Sequence, residues 1–134
     1  MIEDSLLGLS AAGFHRMAYT DWGDPAAEQV VICVHGLTRN GRDFDRLAEV
    51  LADDGCRVIC PDVVGRGRSD WLKDPQGYQI GFYAADMLVL MNQLQASTLD
   101  WVGTSMPISP PMLVPTQSSV VGRRCVSKTS MSAA

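Results

Sequence analysis

Several features that would place this chain in a particular class of protein are missing from its sequence. No apolar run approaches the roughly 20 residues that a membrane-spanning helix needs, so no membrane association is expected. The N-terminus, MIEDSLLGLS, carries acidic residues where a secretory signal would carry basic ones, which argues against a signal peptide. The four cysteines include no C-x-x-C pair, which disfavours a zinc or redox site.

Basic charge is also scarce over most of the chain. All 15 acidic residues and 8 of the 11 basic ones lie in residues 1–106, so this part carries a net charge of −7. Because nucleic-acid binding requires a basic surface, we expect no nucleic-acid partner. Cys33 and Cys60 lie in apolar runs and are predicted to be buried thiols, which is typical of a reducing cytoplasm.

The apolar pattern of residues 14–102 predicts an α/β domain. Strands are expected at 14–19, 29–34, 57–60 and 98–102, and residues 29–34 form a continuous apolar run of the kind found in buried parallel strands. An amphipathic helix is predicted over 43–53, with Phe44, Leu47, Val50 and Leu51 on its buried face, and a second one over 83–94. Strands that alternate with helices favour a mostly parallel sheet with flanking helices.

The character of the sequence changes after Met106. Residues 107–134 hold four of the seven prolines, eight serines or threonines and no acidic residue. Proline inside a helix costs about 3 kcal/mol, so no helix can run through residues 107–115. We therefore predict a domain over 1–106 and a tail over 107–134 that is disordered or loosely attached.

The stretch Leu99–Met106, LDWVGTSM, reads as a strand that runs into a sharp turn with Ser105 at its tip. This matches four positions of the G-x-S-x-G pattern, in which a strand-to-helix turn exposes a nucleophilic serine. Pro107 stands where the final glycine is expected. An isolated pattern of this kind is more often an ordinary turn.

Two further motifs precede this turn at the appropriate intervals. VVICVHGLTRNGRDF begins at Val30 and VICPDVVGRGRSD begins at Val58; each is a buried strand followed by a glycine-containing loop. The ordered set of three motifs, over residues 14–106, resembles the α/β-hydrolase superfamily. The resemblance implies an incomplete α/β-hydrolase fold in which the strand ending at His35 lies between the other two.

The same resemblance implies the roles of particular residues. Ser105 matches the nucleophile, and the backbone N–H groups of Leu37 and Met106 match the oxyanion donors. Three residues are expected to shape the turns around them: His35, Gly36 and Gly103. The implied activity is that of a serine hydrolase acting on a small ester or acyl compound, with no cofactor and no metal.

Two departures from the family pattern limit this expectation. In the family the triad acid and histidine follow the nucleophile, but no Asp, Glu or His follows Ser105 here. His15 lies far upstream, and we expect it to pack in the fold or meet solvent. The change after Met106 looks like a truncation or a shifted reading frame, and the chain as written is expected to be inactive. The alternative is a non-catalytic fragment that associates with a partner, or with itself, through an exposed sheet edge.

Overall fold

The computed structural model describes residues 1–96 and 99–104, which form one mixed sheet with a helix on each face. The strands are β1 (Ile2–Ser10), β2 (Gly13–Trp22), β3 (Val30–Val34), β4 (Arg57–Pro61) and β5 (Leu99–Gly103). The helices are α1 (Asp45–Asp53) and α2 (Ile80–Leu94), with short 3₁₀ turns at Gly41–Phe44 and Pro75–Gly77. The predicted tail lies outside the described residues.

The strand order is β1-β2-β4-β3-β5. β3 pairs in parallel with β4 on one side and with β5 on the other, which confirms the predicted central place of the strand that ends at His35. β2 runs antiparallel to β4, and β1 runs antiparallel to β2, so the sheet is mixed. The predicted α/β class is confirmed, and the strand order agrees with the incomplete fold that the resemblance implies.

β3 is buried along its whole length because both faces of the sheet are covered. Ile32 and Val34 face the cluster that contains Met87 and Leu90 of α2. Val31 and Cys33 face the opposite cluster, which contains Ala48 of α1. Alternate residues of a strand point to opposite faces, so a continuous apolar run is the sequence that this position requires.

The buried face of α1 differs from the prediction. Leu47 and Val50 are 37% and 44% exposed, whereas Ala48 is completely buried. The contact face consists of Phe44, Ala48 and Leu51, which are spaced for one side of a helix. The prediction favoured large apolar residues, but the small side chain of Ala48 allows the helix to lie close to the sheet.

β1 was not predicted from the sequence, and it covers a buried polar pair formed by His15 of β2 and Asp86 of α2. β1 packs against α2, and between them His15 and Asp86 are 4% and 1% exposed. Nε2 of His15 lies 2.7 Å from Oδ2 of Asp86. Gly8 of β1 leaves room for this pair, because a Cβ there would lie 2.1 Å from Oδ1 of Asp86. His15 is therefore buried and paired, and does not meet solvent.

None of the helices in the described part of the chain is long and apolar enough to cross a membrane. The same residues include no group of three or more His, Cys, Asp or Glu side chains that could hold a metal ion. Cys33 and Cys60 are buried free thiols, as predicted.

Candidate functional site

The carboxyl ends of β3 and β5 meet at one edge of the sheet. Val34 is paired with Gly103, and the N–H of Thr104 donates a hydrogen bond to the carbonyl of Val34 at 3.2 Å. The turn after β3 exposes Leu37, whose side chain is 53% accessible. Ser105 and Met106 follow Thr104 directly but lie outside the described residues. The structure therefore brings Leu37 and Gly103 to the same edge, next to the start of the predicted nucleophile turn.

His35 is completely buried at the end of β3, and both of its ring nitrogens are engaged. The N–H of Val63 donates to Nε2 at 2.9 Å, which requires Nε2 to be unprotonated. Nδ1 then carries the proton and donates to the carbonyl of Gly36 at 2.7 Å. This neutral histidine ties the turn after β3 to the loop after β4, and neither nitrogen is free to act as a base.

The burial of His35 predicts a dependence of stability on pH. Burial lowers the pKa of His35 below its ordinary value of 6.5, mainly because the charged form loses hydration. The unfolded chain then binds the proton more readily, so the stabilisation from His35 is fully present above about pH 6.5 and is lost as the pH falls towards the native pKa. We expect the denaturation midpoint of the wild type to decrease more than that of His35→Asn when the pH is lowered from 7 to 5. A constant difference between the two proteins over that range would contradict the assignment.

The loop after β4 is organised by Asp62, which sequence analysis did not single out. One carboxylate oxygen accepts from the N–H of Gly41 at 2.7 Å, and the other accepts from the N–H of Arg68 at 2.9 Å. Gly67 has a φ of +51° and passes so close that a Cβ would lie 2.3 Å from this carboxylate. Asp62 is the first residue of the glycine-rich loop, and its position directly after a buried strand was the signal that could have revealed it.

Arg66 connects this loop to the candidate oxyanion turn. Its Nε donates to the carbonyl of Leu37 at 2.9 Å, and Nη1 donates to the carbonyl of Val64 at 2.9 Å and to the hydroxyl of Tyr83 at 3.1 Å. The guanidinium carbon also lies 5.9 Å and 5.5 Å from the ring centres of Tyr78 and Tyr83. A half-buried cation is thereby held beside Leu37.

A cavity of about 240 Å³ lies elsewhere, between the turn joining β1 to β2 and the segment that leads into α2. Its lining includes Ser10, Leu72 and Phe82, and none of the predicted site residues contributes to it. The predicted site residues that the structure describes lie at the edge formed by β3 and β5, away from this cavity.

A family model described as the alpha/beta hydrolase fold matches residues 29–106, which is more than half of the chain. The chain belongs to the α/β-hydrolase family. The match begins immediately before β3 and ends at Met106, so it includes all three motifs and every predicted site residue.

Individual proteins resemble this chain to different degrees. A 3-hydroxybutyrate-oligomer hydrolase from Cupriavidus necator is 56% identical over 98 residues, covering 73% of this chain and 33% of its own. A non-heme chloroperoxidase from Burkholderia pyrrocinia is 33% identical over 87 residues, covering 65% of this chain and 30% of its own. A solved structure from Rickettsia typhi has a TM-score of 0.74 and 33% identity, covering 79% of this chain and 40% of its own.

The α/β-hydrolase chain described here spans about a third of the length of the curated relatives it matches. The matched residues include the motifs for which the sequence predicts a nucleophile turn and an oxyanion turn. Activity and substrate are properties of the whole enzyme, and for this chain they are matters of proposal.

Proposed function

We propose that this chain carries the nucleophile and oxyanion half of a serine esterase that acts on short 3-hydroxyacid oligoesters. One observation carries the proposal: the 56% identity over 98 residues to the 3-hydroxybutyrate-oligomer hydrolase of C. necator. That identity is far above the 33% shared with the chloroperoxidase, so the ester substrate is favoured over other chemistries of the family. The proposed substrate is a small molecule with ester bonds, and no cofactor takes part.

The proposed reaction is acyl transfer through Ser105. Its hydroxyl oxygen attacks the ester carbonyl while a general base removes the hydroxyl proton, and the alcohol of the departing hydroxyacid takes up that proton. The backbone N–H groups of Leu37 and Met106 stabilise the oxyanion. Water then hydrolyses the acyl-enzyme and releases the acid. His35, Gly36 and Gly103 hold the two turns in place.

The base is the missing component. Both nitrogens of His35 are engaged in hydrogen bonds, and His15 is buried against Asp86. Residues 106–134 contain no Asp, Glu or His. We therefore propose that the 134-residue chain does not turn over esters by itself, because acyl transfer requires a base within hydrogen-bond reach of the serine.

A second candidate function is association without catalysis. β5 pairs with β3 on one side, and within the described part of the chain no strand covers its other side. An uncovered strand edge offers backbone hydrogen bonds to another chain. This edge supports the alternative proposal that the chain binds a partner or a second copy of itself.

The test of the esterase proposal is to supply the general base that the 134-residue chain lacks. In the completed enzyme, residues 1–106 of this chain are followed by glycine at position 107 and by the remaining segment of the C. necator hydrolase. We expect the completed enzyme to hydrolyse both the linear 3-hydroxybutyrate dimer and p-nitrophenyl butyrate, as measured by chromatography of the acid product and by release of nitrophenol. A folded completed enzyme that hydrolyses neither ester would refute the esterase proposal and favour the association function.

The boundary between a domain over 1–106 and a tail over 107–134 stays a prediction. So does the cytoplasmic location, which rests on the acidic N-terminus and on the apolar surroundings of Cys33 and Cys60.

A further inference from the structure

Arg66 differs from every other arginine in the described part of the chain, residues 1–96 and 99–104. The other six each have a carboxylate oxygen no more than 3.8 Å away: Arg16, Arg39, Arg42, Arg46, Arg57 and Arg68. Within these residues, Arg66 has no carboxylate partner and bonds only to neutral oxygens. The half-buried cation beside Leu37 therefore has no ion-pair partner among the described acidic side chains.

The hydrogen bonds of Arg66 leave one nitrogen of its guanidinium available. The group has five N–H donors in a fixed planar arrangement. Nε and Nη1 use three of them on Leu37, Val64 and Tyr83. The two N–H groups of Nη2 have no acceptor among the described residues. Nη2 lies on the same side of the guanidinium as the Nε–H, so it faces the Leu37 turn.

The charge of Arg66 also reaches the turn after β3. The positive charge contributes to lowering the pKa of His35, whose hydrogen bond to Gly36 shapes that turn. The rings of Tyr78 and Tyr83 restrict the guanidinium of Arg66. Binding a ligand therefore costs little further side-chain conformational entropy. A restricted cation that has no direct ion-pair partner among the described residues is suited to bind an anion.

We propose that Arg66 binds the terminal carboxylate of a short 3-hydroxyacid oligomer and so selects free-acid oligoesters over neutral esters. The inference rests on the proposed function, since a linear oligomer of a hydroxyacid has ester bonds along its length and one carboxylate at its end. Arg66 holds that carboxylate through Nη2 while Nε retains the carbonyl of Leu37. The reacting ester is thereby placed close to the oxyanion turn.

The first experiment measures binding to the 134-residue chain by ligand-observed saturation-transfer NMR. The two ligands are the linear 3-hydroxybutyrate dimer as its free acid, ionised at pH 7, and the methyl ester of the same dimer. We expect the acid to bind about tenfold more tightly than the ester, which is the size of a charge-assisted hydrogen bond. Arg66→Gln should weaken binding of the acid about tenfold more than it weakens binding of the ester, so that the two ligands bind the variant about equally.

Arg46→Gln is the matched control, because it removes one positive charge from an exposed position on α1. It should leave the preference for the acid intact. Arg66→Lys keeps the charge but loses the planar group, and should retain part of the preference, which 1 M salt should reduce. The proposal is overturned if the wild type binds both ligands equally, if it binds neither, or if Arg66→Gln keeps the preference.

Kinetics of the completed enzyme separate this inference from the proposed function. Arg66→Gln removes the hydrogen bond to the Leu37 carbonyl as well as the charge, so it should lower kcat/KM for the dimer acid about tenfold more than it lowers kcat/KM for p-nitrophenyl butyrate. An equal loss on both substrates would show that Arg66 only positions the Leu37 turn, and the inference would fail while the esterase proposal stands. If the enzyme hydrolyses neither ester, the esterase proposal fails, and the binding experiment alone decides whether Arg66 recognises carboxylates.

Discussion

Replacing Ser105 with alanine in the completed enzyme should lower kcat/KM for p-nitrophenyl butyrate by about 10⁴-fold or more. Without the hydroxyl no acyl-enzyme can form, and only the oxyanion donors and substrate binding remain to assist attack by water. The 134-residue chain should release no more nitrophenol than its own Ser105→Ala variant. Initial rates at saturating and limiting ester, on protein of known concentration, measure both effects.

Ser69→Ala is the control for this substitution, because Ser69 is a buried serine of the loop after β4. Its hydroxyl bonds to the carbonyl of Asp62, so the change affects the scaffold and not the reacting group. Ester turnover by the 134-residue chain that disappears in Ser105→Ala would show that a residue of this chain acts as the base. Neither His35 nor His15 could serve without leaving its hydrogen bonds.

The sequence predicts the centre of the sheet well because its signals there are local. Val30–Val34 and Arg57–Cys60 are dense in β-branched and apolar residues, and only a strand covered on both faces can bury such a run. The order of the strands came from the family resemblance, since local pattern does not determine which strands become neighbours. The predicted strand over 98–102 is found as β5, although Thr98 lies outside the described residues.

The sequence predicts β1 and the contact face of α1 poorly because neighbours decide them. β1 becomes a strand by pairing with β2, and its apolar residues do not follow the alternation of buried and exposed positions, since Gly8 is buried and Leu7 is exposed. In α1, the close approach of Ala48 to the sheet outweighs the larger apolar areas of Leu47 and Val50. Packing against other elements therefore overrides the local pattern in both cases.

Some residues of the candidate site can be predicted from the sequence, and others can be found only from the structure. Backbone donors such as Leu37 can be predicted because a motif specifies their position in the chain. The hydrogen bond from Arg66 to Leu37 joins residues 29 positions apart, and the missing acidic partner of Arg66 is visible only when the other ion pairs are known. Selectivity among family members depends on such contacts, and a motif does not encode them.

Breaking the pair between His15 and Asp86 should have the largest effect on stability in the described part of the chain. Asp86→Leu leaves a buried imidazole without its partner, and His15→Leu leaves a buried carboxyl without its partner. Removal of one member of a buried pair costs roughly 3–5 kcal/mol of unfolding free energy. Urea denaturation followed by circular dichroism measures the loss. Glu49→Ala breaks the exposed pair with Arg46 and should leave the midpoint almost unchanged.

The double variant, His15→Leu with Asp86→Leu, separates the energy of the pair from the cost of burying its members. Burial raises the pKa of Asp86 above its ordinary value, and the hydrogen bond from His15 opposes that shift only in part. The native carboxyl therefore retains its proton better than the unfolded one, so its contribution to stability is lost as the pH rises above about 3.9. Near pH 7 two leucines beside Gly8 should thus cost less than either single change. A double variant as unstable as the sum of the two single ones would show that His15 and Asp86 act independently, and that the 2.7 Å contact contributes nothing to holding β2 against α2.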